Sequence, residues 1–115
     1  MILLKNIQFD GSPVNLFIQG KRIHRILPFP ETEGLVADET VDCTGKAVIP
    51  GFINMHTHAA MVLLRGITED VPLDAWLSRI WAMEAKMDEE FIYWGTKTAC
   101  LEMIRSGTTT FNDMY

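Results

Sequence analysis

The pattern of apolar residues changes at residues 50–51, and this change limits the possible folds of the chain more than any other feature of its sequence. Before it, apolar and polar residues alternate over short stretches, which is typical of β-strands. After it, an apolar run at residues 52–58 is followed by two segments with helical spacing and by the β-branched run 108–111. A strand, two helices and a second strand form a crossover between parallel strands. The sequence therefore predicts an α/β fold.

Residues 1–50 are predicted to form a small module of short strands. Val14, Leu16 and Ile18 alternate with Asn15, Phe17 and Gln19, which predicts a strand with one buried face. A tight turn is expected at Gly20, where glycine tolerates a positive φ. Further strands are predicted at residues 1–9, 23–27, 41–43 and 46–49.

Two amphipathic helices are expected between residues 70 and 107. Asp70 is a candidate cap for the first helix, and Pro72 suits its first turn. The acidic residues 88–90 favour the start of a second helix, because negative charge stabilises the positive end of the helix dipole. Gly107 lies where a C-terminal cap is expected.

The composition excludes several classes of function. The 115 residues carry 10 Lys+Arg against 15 Asp+Glu, a formal net charge of −5, and no basic cluster. We therefore expect neither nucleic acid nor an anionic membrane surface as a partner. No apolar run reaches the ~18–20 residues of a membrane span, and no signal peptide is evident. Two cysteines, Cys43 and Cys100, are predicted to be reduced thiols, so a cytoplasmic location is expected.

His56 and His58 are the most informative polar pair in the sequence. On a strand, side chains two residues apart point to the same face, so both imidazoles can reach one metal ion. The spacing alone is weak evidence, because surface or core histidines produce it by chance. Their position at the carboxyl end of a predicted buried strand favours a metal site, because β/α enzymes place their chemistry there. His24, on a predicted hairpin, is expected to be a surface histidine.

Five short motifs stand out along the chain: PGFINMHTHAAM (residues 50–61), LLRG (63–66), Trp76-Leu77, IWAME (80–84) and GTTTFNDMY (107–115). Together they resemble the amidohydrolase superfamily, and in particular its branch of 5-methylthioadenosine/S-adenosylhomocysteine deaminases and triazine chlorohydrolases. The resemblance covers the whole chain. Asn54 is informative within it, because dihydroorotase- and hydantoinase-like relatives usually carry aspartate there.

The resemblance implies an α/β fold that is the N-terminal part of a metal-dependent (β/α)8 TIM barrel. Residues 51–115 would be its first βα units, and residues 1–50 would be strands of a small β-sandwich domain. A complete barrel needs roughly 200–250 residues, so the barrel is expected to be incomplete in this chain. A self-contained α+β domain of 115 residues is the alternative.

The resemblance also implies an activity: a hydrolase that deaminates adenosine-type nucleosides, such as 5-methylthioadenosine or S-adenosylhomocysteine, by attack of metal-activated water. His56 and His58 would bind one divalent metal ion, most commonly zinc, with iron or nickel as alternatives. The other ligands and the acidic catalytic residues of the family lie further along the chain. No catalytic residue is therefore expected within these 115 residues.

Glu84 is the third site residue that the resemblance implies. In nucleoside-deaminating members, the corresponding glutamate accepts hydrogen bonds from the ribose hydroxyls, and its two oxygens can bridge a vicinal diol. The alternative is an exposed glutamate on a helix face. Trp76 and Trp81 could stack on a purine, although core packing is the more common role of such residues. Arg65 could contact substrate or hold the segment after His58 in place.

Two other functions stay open from the sequence. One is a chlorohydrolase, or a guanine- or cytosine-type deaminase, of the same branch. The other, of a different class, is a truncated or split chain with no catalytic activity of its own. The expected partners are a small nucleoside substrate and the remainder of the barrel, as a missing segment or a second chain. A homo-oligomer is a further option.

Overall fold

The computed structural model describes residues 1–114, and the chain divides into two compact units at Pro50 and Gly51. The predicted α/β class is confirmed. The first unit contains four strands: β1 (Ile2–Phe9), β2 (Ser12–Gln19), β3 (Arg22–Pro28) and β4 (Glu39–Asp42). The second contains β5 (Phe52–Thr57), a 3-10 helix (Ala59–Leu64), α1 (Leu73–Glu84), α2 (Glu89–Arg105) and β6 (Thr108–Asp113).

The four strands of the first unit form one sheet in the order β3-β2-β1-β4. β2 pairs antiparallel with both β1 and β3, whereas β4 pairs parallel with β1. Gly20 has a φ of 60° in the turn between β2 and β3, so the predicted hairpin is confirmed. Only a residue that tolerates a left-handed backbone fits this tight turn without strain.

The prediction that β2 buries one face was wrong, because both of its faces are covered. Leu16 packs on one side in a cluster with Ile7 and Cys43, and Phe17 packs on the other against Leu27. Asn15, next to Phe17, is also buried. The second face is covered by partly buried residues of the loop after β3, which alternation along β2 does not reveal.

The strand predicted at residues 46–49 is absent from the described structure. Only one isolated bridge forms there, between Ala47 and Gln8 of β1. Its two hydrogen bonds run from Gln8 N–H to the Lys46 carbonyl and from Val48 N–H to the Gln8 carbonyl, each 2.9 Å long. Pro50, which has no N–H to donate, follows two residues later, so the pairing does not extend.

The second unit contains the predicted crossover. β5 and β6 pair in parallel, and the 3-10 helix, α1 and α2 connect them. Neither α1 nor α2 has the length and apolar character that a membrane-spanning helix requires.

Both ends of α2 lie where the sequence predicts them, whereas α1 begins later than predicted. Asp88 caps α2 by accepting a hydrogen bond from the Phe91 N–H at 2.8 Å, and Gly107 follows its end with a φ of 89°. Asp70 was wrongly predicted to cap α1. The Pro72 carbonyl accepts the first helical hydrogen bond, from Trp76 N–H, so the helix begins after Pro72 and Asp70 lies two residues too early.

The segment after His58 is a 3-10 helix. Ala59, Ala60 and Leu64 are buried in it. It packs closely against α2 at Gly95, where a Cβ atom would lie only 2.4 Å from the Ala60 carbonyl oxygen. The absence of a side chain at Gly95 therefore allows the two helices to touch.

Candidate functional site

β5 has one more residue than β6 just before the histidine pair. Asn54 pairs with Phe111 and Thr57 pairs with Asp113, so Met55 and His56 both lie opposite Asn112. Two residues opposite one is the arrangement of a β-bulge, which locally changes the direction of the side chains.

The extra residue disturbs the regular alternation of side chains along β5. Asn54 faces α2, because its Nδ2 lies 4.0 Å from the Met103 sulfur. Thr57, three residues later, lines the same cavity beside α2, although residues three apart in a regular strand face opposite sides. His58, which follows the end of β5, also lines this cavity.

The two imidazole rings lie side by side, as the i, i+2 spacing predicts. Their centroids are 5.1 Å apart and their planes are inclined at 78°. With Zn–N bonds of about 2.0–2.1 Å, two imidazoles bound to one tetrahedral ion would have centroids about 5 Å apart. The separation of the rings is therefore compatible with two ligands of one ion.

His56 and His58 are only part of a ligand set. Catalytic zinc sites use three protein ligands. Within residues 1–114, no three His, Cys, Asp or Glu residues cluster in a way that could hold a metal ion. Further ligands would have to come from elsewhere in the protein.

Both imidazoles are exposed, and so are the apolar residues of the same strand. Phe52, Ile53 and Met55 are 57%, 63% and 73% exposed, respectively. Apolar residues of parallel strands are normally covered on both faces. The prediction that this strand is buried was therefore wrong for the two-stranded sheet of the described residues, in which only Asn54 and Thr57 of β5 are half-buried.

His58 and Glu84 line one cavity of about 500 Å³. Glu84 is half-buried at the C-terminal end of α1. Trp76 and Trp81, about two turns and one turn before Glu84 on the same helix, also line this cavity. Trp81 is 60% exposed, so within residues 1–114 it is not a core residue. The structure thus brings together one predicted metal ligand, the predicted diol-binding carboxylate and two aromatic side chains.

Arg65 holds the segment after His58 in place. Its guanidinium donates two hydrogen bonds to the Glu102 carboxylate of α2, from Nη1 at 3.2 Å and from Nη2 at 2.8 Å. These bonds and the ion pair lower the pKa of Glu102 and raise the pKa of Arg65. Of the two roles considered for Arg65, the structure thus shows the one in which it holds the segment after His58 in place.

Polar residues at the end of β6 bind the main chain around the histidines. The Asp113 carboxylate accepts a hydrogen bond from the Ala59 N–H at 3.1 Å, and Asn112 Nδ2 donates to the Met55 carbonyl at 3.3 Å. The sequence motif that contains both residues did not by itself reveal this role. Their position at the carboxyl end of the second strand, beside the strand that carries the histidines, was the available signal. Tyr115, the last residue of that motif, lies outside the described residues.

The parallel β-crossover with two histidines at the end of its first strand is the N-terminal arrangement expected of a metal-dependent β/α hydrolase. Residues 47–115 match the amidohydrolase family, and the chain belongs to that family.

The similarity to known proteins covers more of the chain than this family match does. The chain is 50% identical over its whole length to a 5'-deoxyadenosine deaminase of Methanocaldococcus jannaschii and covers 27% of that protein. It is 46% identical, again over its whole length, to 5-methylthioadenosine/S-adenosylhomocysteine deaminase 1 of Archaeoglobus fulgidus and covers 28% of it. A crystal structure of a Xanthomonas campestris adenosine deaminase with bound zinc matches 89% of the chain and 24% of its own length, with a TM-score of 0.79 and 38% identity. The chain thus spans about a quarter of the length of these relatives.

Proposed function

We propose that the chain is the N-terminal part of a metal-dependent aminohydrolase that deaminates adenosine-type nucleosides such as 5-methylthioadenosine or S-adenosylhomocysteine. Residues 51–115 are the first βα units of its (β/α)8 barrel, and residues 1–50 are strands of a small β-sandwich domain. The observation that carries the proposal is that His58 and Glu84 line the same cavity. The names of the similar proteins support the same class of substrate.

The histidine pair forms the metal-binding half of the proposed site. His56 and His58 present two imidazoles at a separation that suits one ion. Zinc is the best-supported ion because the similar Xanthomonas deaminase contains it, and iron and nickel also accept imidazole ligands. When bound, such an ion supplies a water of lowered pKa as nucleophile at neutral pH.

Glu84 forms the substrate-binding half. A carboxylate accepts hydrogen bonds at two oxygens and can therefore bind both hydroxyls of a ribose diol. Its half-buried position on α1 limits competition from water. A free base or a triazine has no vicinal diol, so Glu84 favours a nucleoside over the substrates of the alternative deaminases and chlorohydrolases.

Trp76 and Trp81 supply large aromatic surfaces to the same site. Both line the cavity that contains His58 and Glu84. Flat aromatic side chains of this kind bind planar rings by offset stacking or edge contacts. The purine is the part of the substrate that would lie against them.

The proposal is tested with the complete protein loaded with zinc and a panel of substrates. We expect deamination of 5-methylthioadenosine, S-adenosylhomocysteine or 5'-deoxyadenosine. Glu84→Ala should lower kcat/KM for these nucleosides by about 10- to 100-fold, the size expected for lost hydrogen bonds to a charged group. It should change deamination of 2',3'-dideoxyadenosine little, because that analogue has no diol.

Glu90→Ala, which removes an exposed carboxylate from α2, serves as the matched control and should behave like the unmodified protein. Deamination of guanine, or dechlorination of a triazine, without activity on any adenosine-type nucleoside would overturn the proposal. Equal losses on the diol and dideoxy substrates in Glu84→Ala would remove the role assigned to Glu84.

A cytoplasmic location belongs to the same proposal. Cys43 is buried and Cys100 is half-buried, and neither forms a disulfide. Unpaired thiols are typical of proteins in reducing compartments.

A further inference from the structure

The main chain on both sides of His58 is bonded to the end of β6. The Thr57 carbonyl accepts a hydrogen bond from Met114 N–H at 2.9 Å, and the Ala59 N–H donates to Asp113 Oδ1 at 3.1 Å. The His58 carbonyl accepts from Met61 N–H at 3.0 Å within the 3-10 helix. Three main-chain groups in and beside His58 are therefore fixed.

The bond that Asp113 accepts from the Ala59 N–H is the only one of these three that depends on a side chain. His58 occupies the N-cap position of the 3-10 helix but forms no side-chain capping bond there. Asp113, which is half-buried, supplies the cap from the neighbouring strand. A negative charge at a helix N-terminus is also favourable because the first N–H groups point toward it.

We propose that Asp113 is a positioning residue for the metal site, fixing the backbone directly after His58 so that its imidazole lies beside that of His56. This inference rests on the proposed function, because it assumes that the histidine pair binds the metal. Groups that hold a metal ion must be kept within about 0.5 Å and 10–20° of their working geometry. β5 by itself does not provide this precision, because the extra residue between Asn54 and Thr57 interrupts its regular pairing.

The test is the zinc affinity of the complete protein, measured by competition with a chelator. Asp113→Ala should weaken zinc binding by about 10- to 100-fold, the usual effect of losing a residue that orients a ligand. It should also shift the visible absorption spectrum of the cobalt-substituted protein, because the positions of the ligands change. Asp113→Asn keeps an acceptor oxygen at the same place and should restore both readouts nearly to those of the unmodified protein.

Two further variants keep the test decisive. Asp74→Ala removes an exposed carboxylate from the first turn of α1 and should change neither zinc affinity nor the cobalt spectrum. Asp113→Glu keeps the charge but displaces the oxygens by one methylene group. It should give an intermediate loss of zinc affinity, and it replaces Asp113→Ala if that variant does not fold.

The outcomes separate this inference from the proposed function. If His58→Ala loses zinc while Asp113→Ala and Asp113→Glu bind it as the unmodified protein does, the positioning role is overturned and the metal site stands. If Asp113→Asn is as damaging as Asp113→Ala, the role as a hydrogen-bond acceptor is overturned. If His58→Ala binds zinc as the unmodified protein does, both the proposed metal site and this inference fail.

Discussion

Individual polar side chains in this protein join segments that are far apart in sequence. Asn15 is 1% exposed, accepts a hydrogen bond from Asn6 N–H at 3.2 Å and donates one to the Glu31 carbonyl at 2.8 Å. Arg65 and Glu102 likewise join the segment after the 3-10 helix to α2. The bonds of Asn15 matter most, because a buried polar group without a partner is costly, whereas Arg65 and Glu102 are exposed.

The pair of Arg65 and Glu102 should make stability depend on pH. Hydrogen bonds from Arg65 hold the pKa of Glu102 below its ordinary value. The folded protein therefore binds this proton more weakly than the unfolded chain, and the pair stabilises the fold above the ordinary glutamate pKa of about 4.3. That contribution is lost as the pH falls through the lowered pKa.

We therefore expect Glu102→Gln to lower the Tm at neutral pH, and we expect the difference from the unmodified protein to shrink toward zero as the pH falls below about 4. Thermal unfolding between pH 3 and pH 8 measures this. Glu39→Gln, at an exposed position on β4, is the control and should show no such trend. A Tm difference that is as large at pH 3 as at pH 7 would contradict the assignment.

Among the elements, the 3-10 helix matters most for the candidate site, because it follows β5 in the chain and packs against α2. It follows His58 directly, is capped by Asp113 and touches α2 at Gly95. Each of these contacts affects the segment that carries a proposed metal ligand. Packing at α2 is thus connected to the candidate site through one short helix.

Gly95→Ala should destabilise the protein by about 1–3 kcal/mol, the usual cost of overpacking. The added Cβ would lie 2.4 Å from the Ala60 carbonyl oxygen, a main-chain atom that cannot rotate away. Urea unfolding gives the change in the free energy of unfolding. Thr98→Ala, at an exposed position on α2, should change it by no more than about 0.5 kcal/mol. A Gly95→Ala variant as stable as the unmodified protein would show that the two helices separate easily.

For the whole molecule, the important fact is that the chain covers about a quarter of its relatives, 27% of one and 28% of another. β5 and β6 form a two-stranded sheet in the described part of the chain. Parallel sheets normally have more strands and are covered on both faces. The proposed activity therefore belongs to the complete protein.

The 115-residue chain alone should bind zinc weakly and should not deaminate nucleosides. Two imidazoles provide fewer ligands than the three of a catalytic zinc site. Zinc titration and an assay with 5-methylthioadenosine, performed beside the complete protein, test this expectation. Turnover by the purified chain would refute it.

Much of the second unit could be predicted from sequence because its signals are local. The crossover follows from the hydrophobic pattern, and the cap at Asp88 and the glycine at 107 follow from short-range hydrogen bonding. The juxtaposition of His56 and His58 was predicted from their spacing, although His58 lies just after β5 and not on it. The metal-binding role of this pair and the substrate-binding role of Glu84 stay predictions.

The sequence by itself determined the order and type of most elements, because these depend on residues only a few positions apart. Only the tertiary structure decided that β2 is buried on both faces, that residues 46–49 form a single bridge and that β5 carries an extra residue before the histidines. It also decided that His58 and Glu84 share a cavity. Each of these features depends on contacts between distant segments, and no local pattern of residues encodes such contacts.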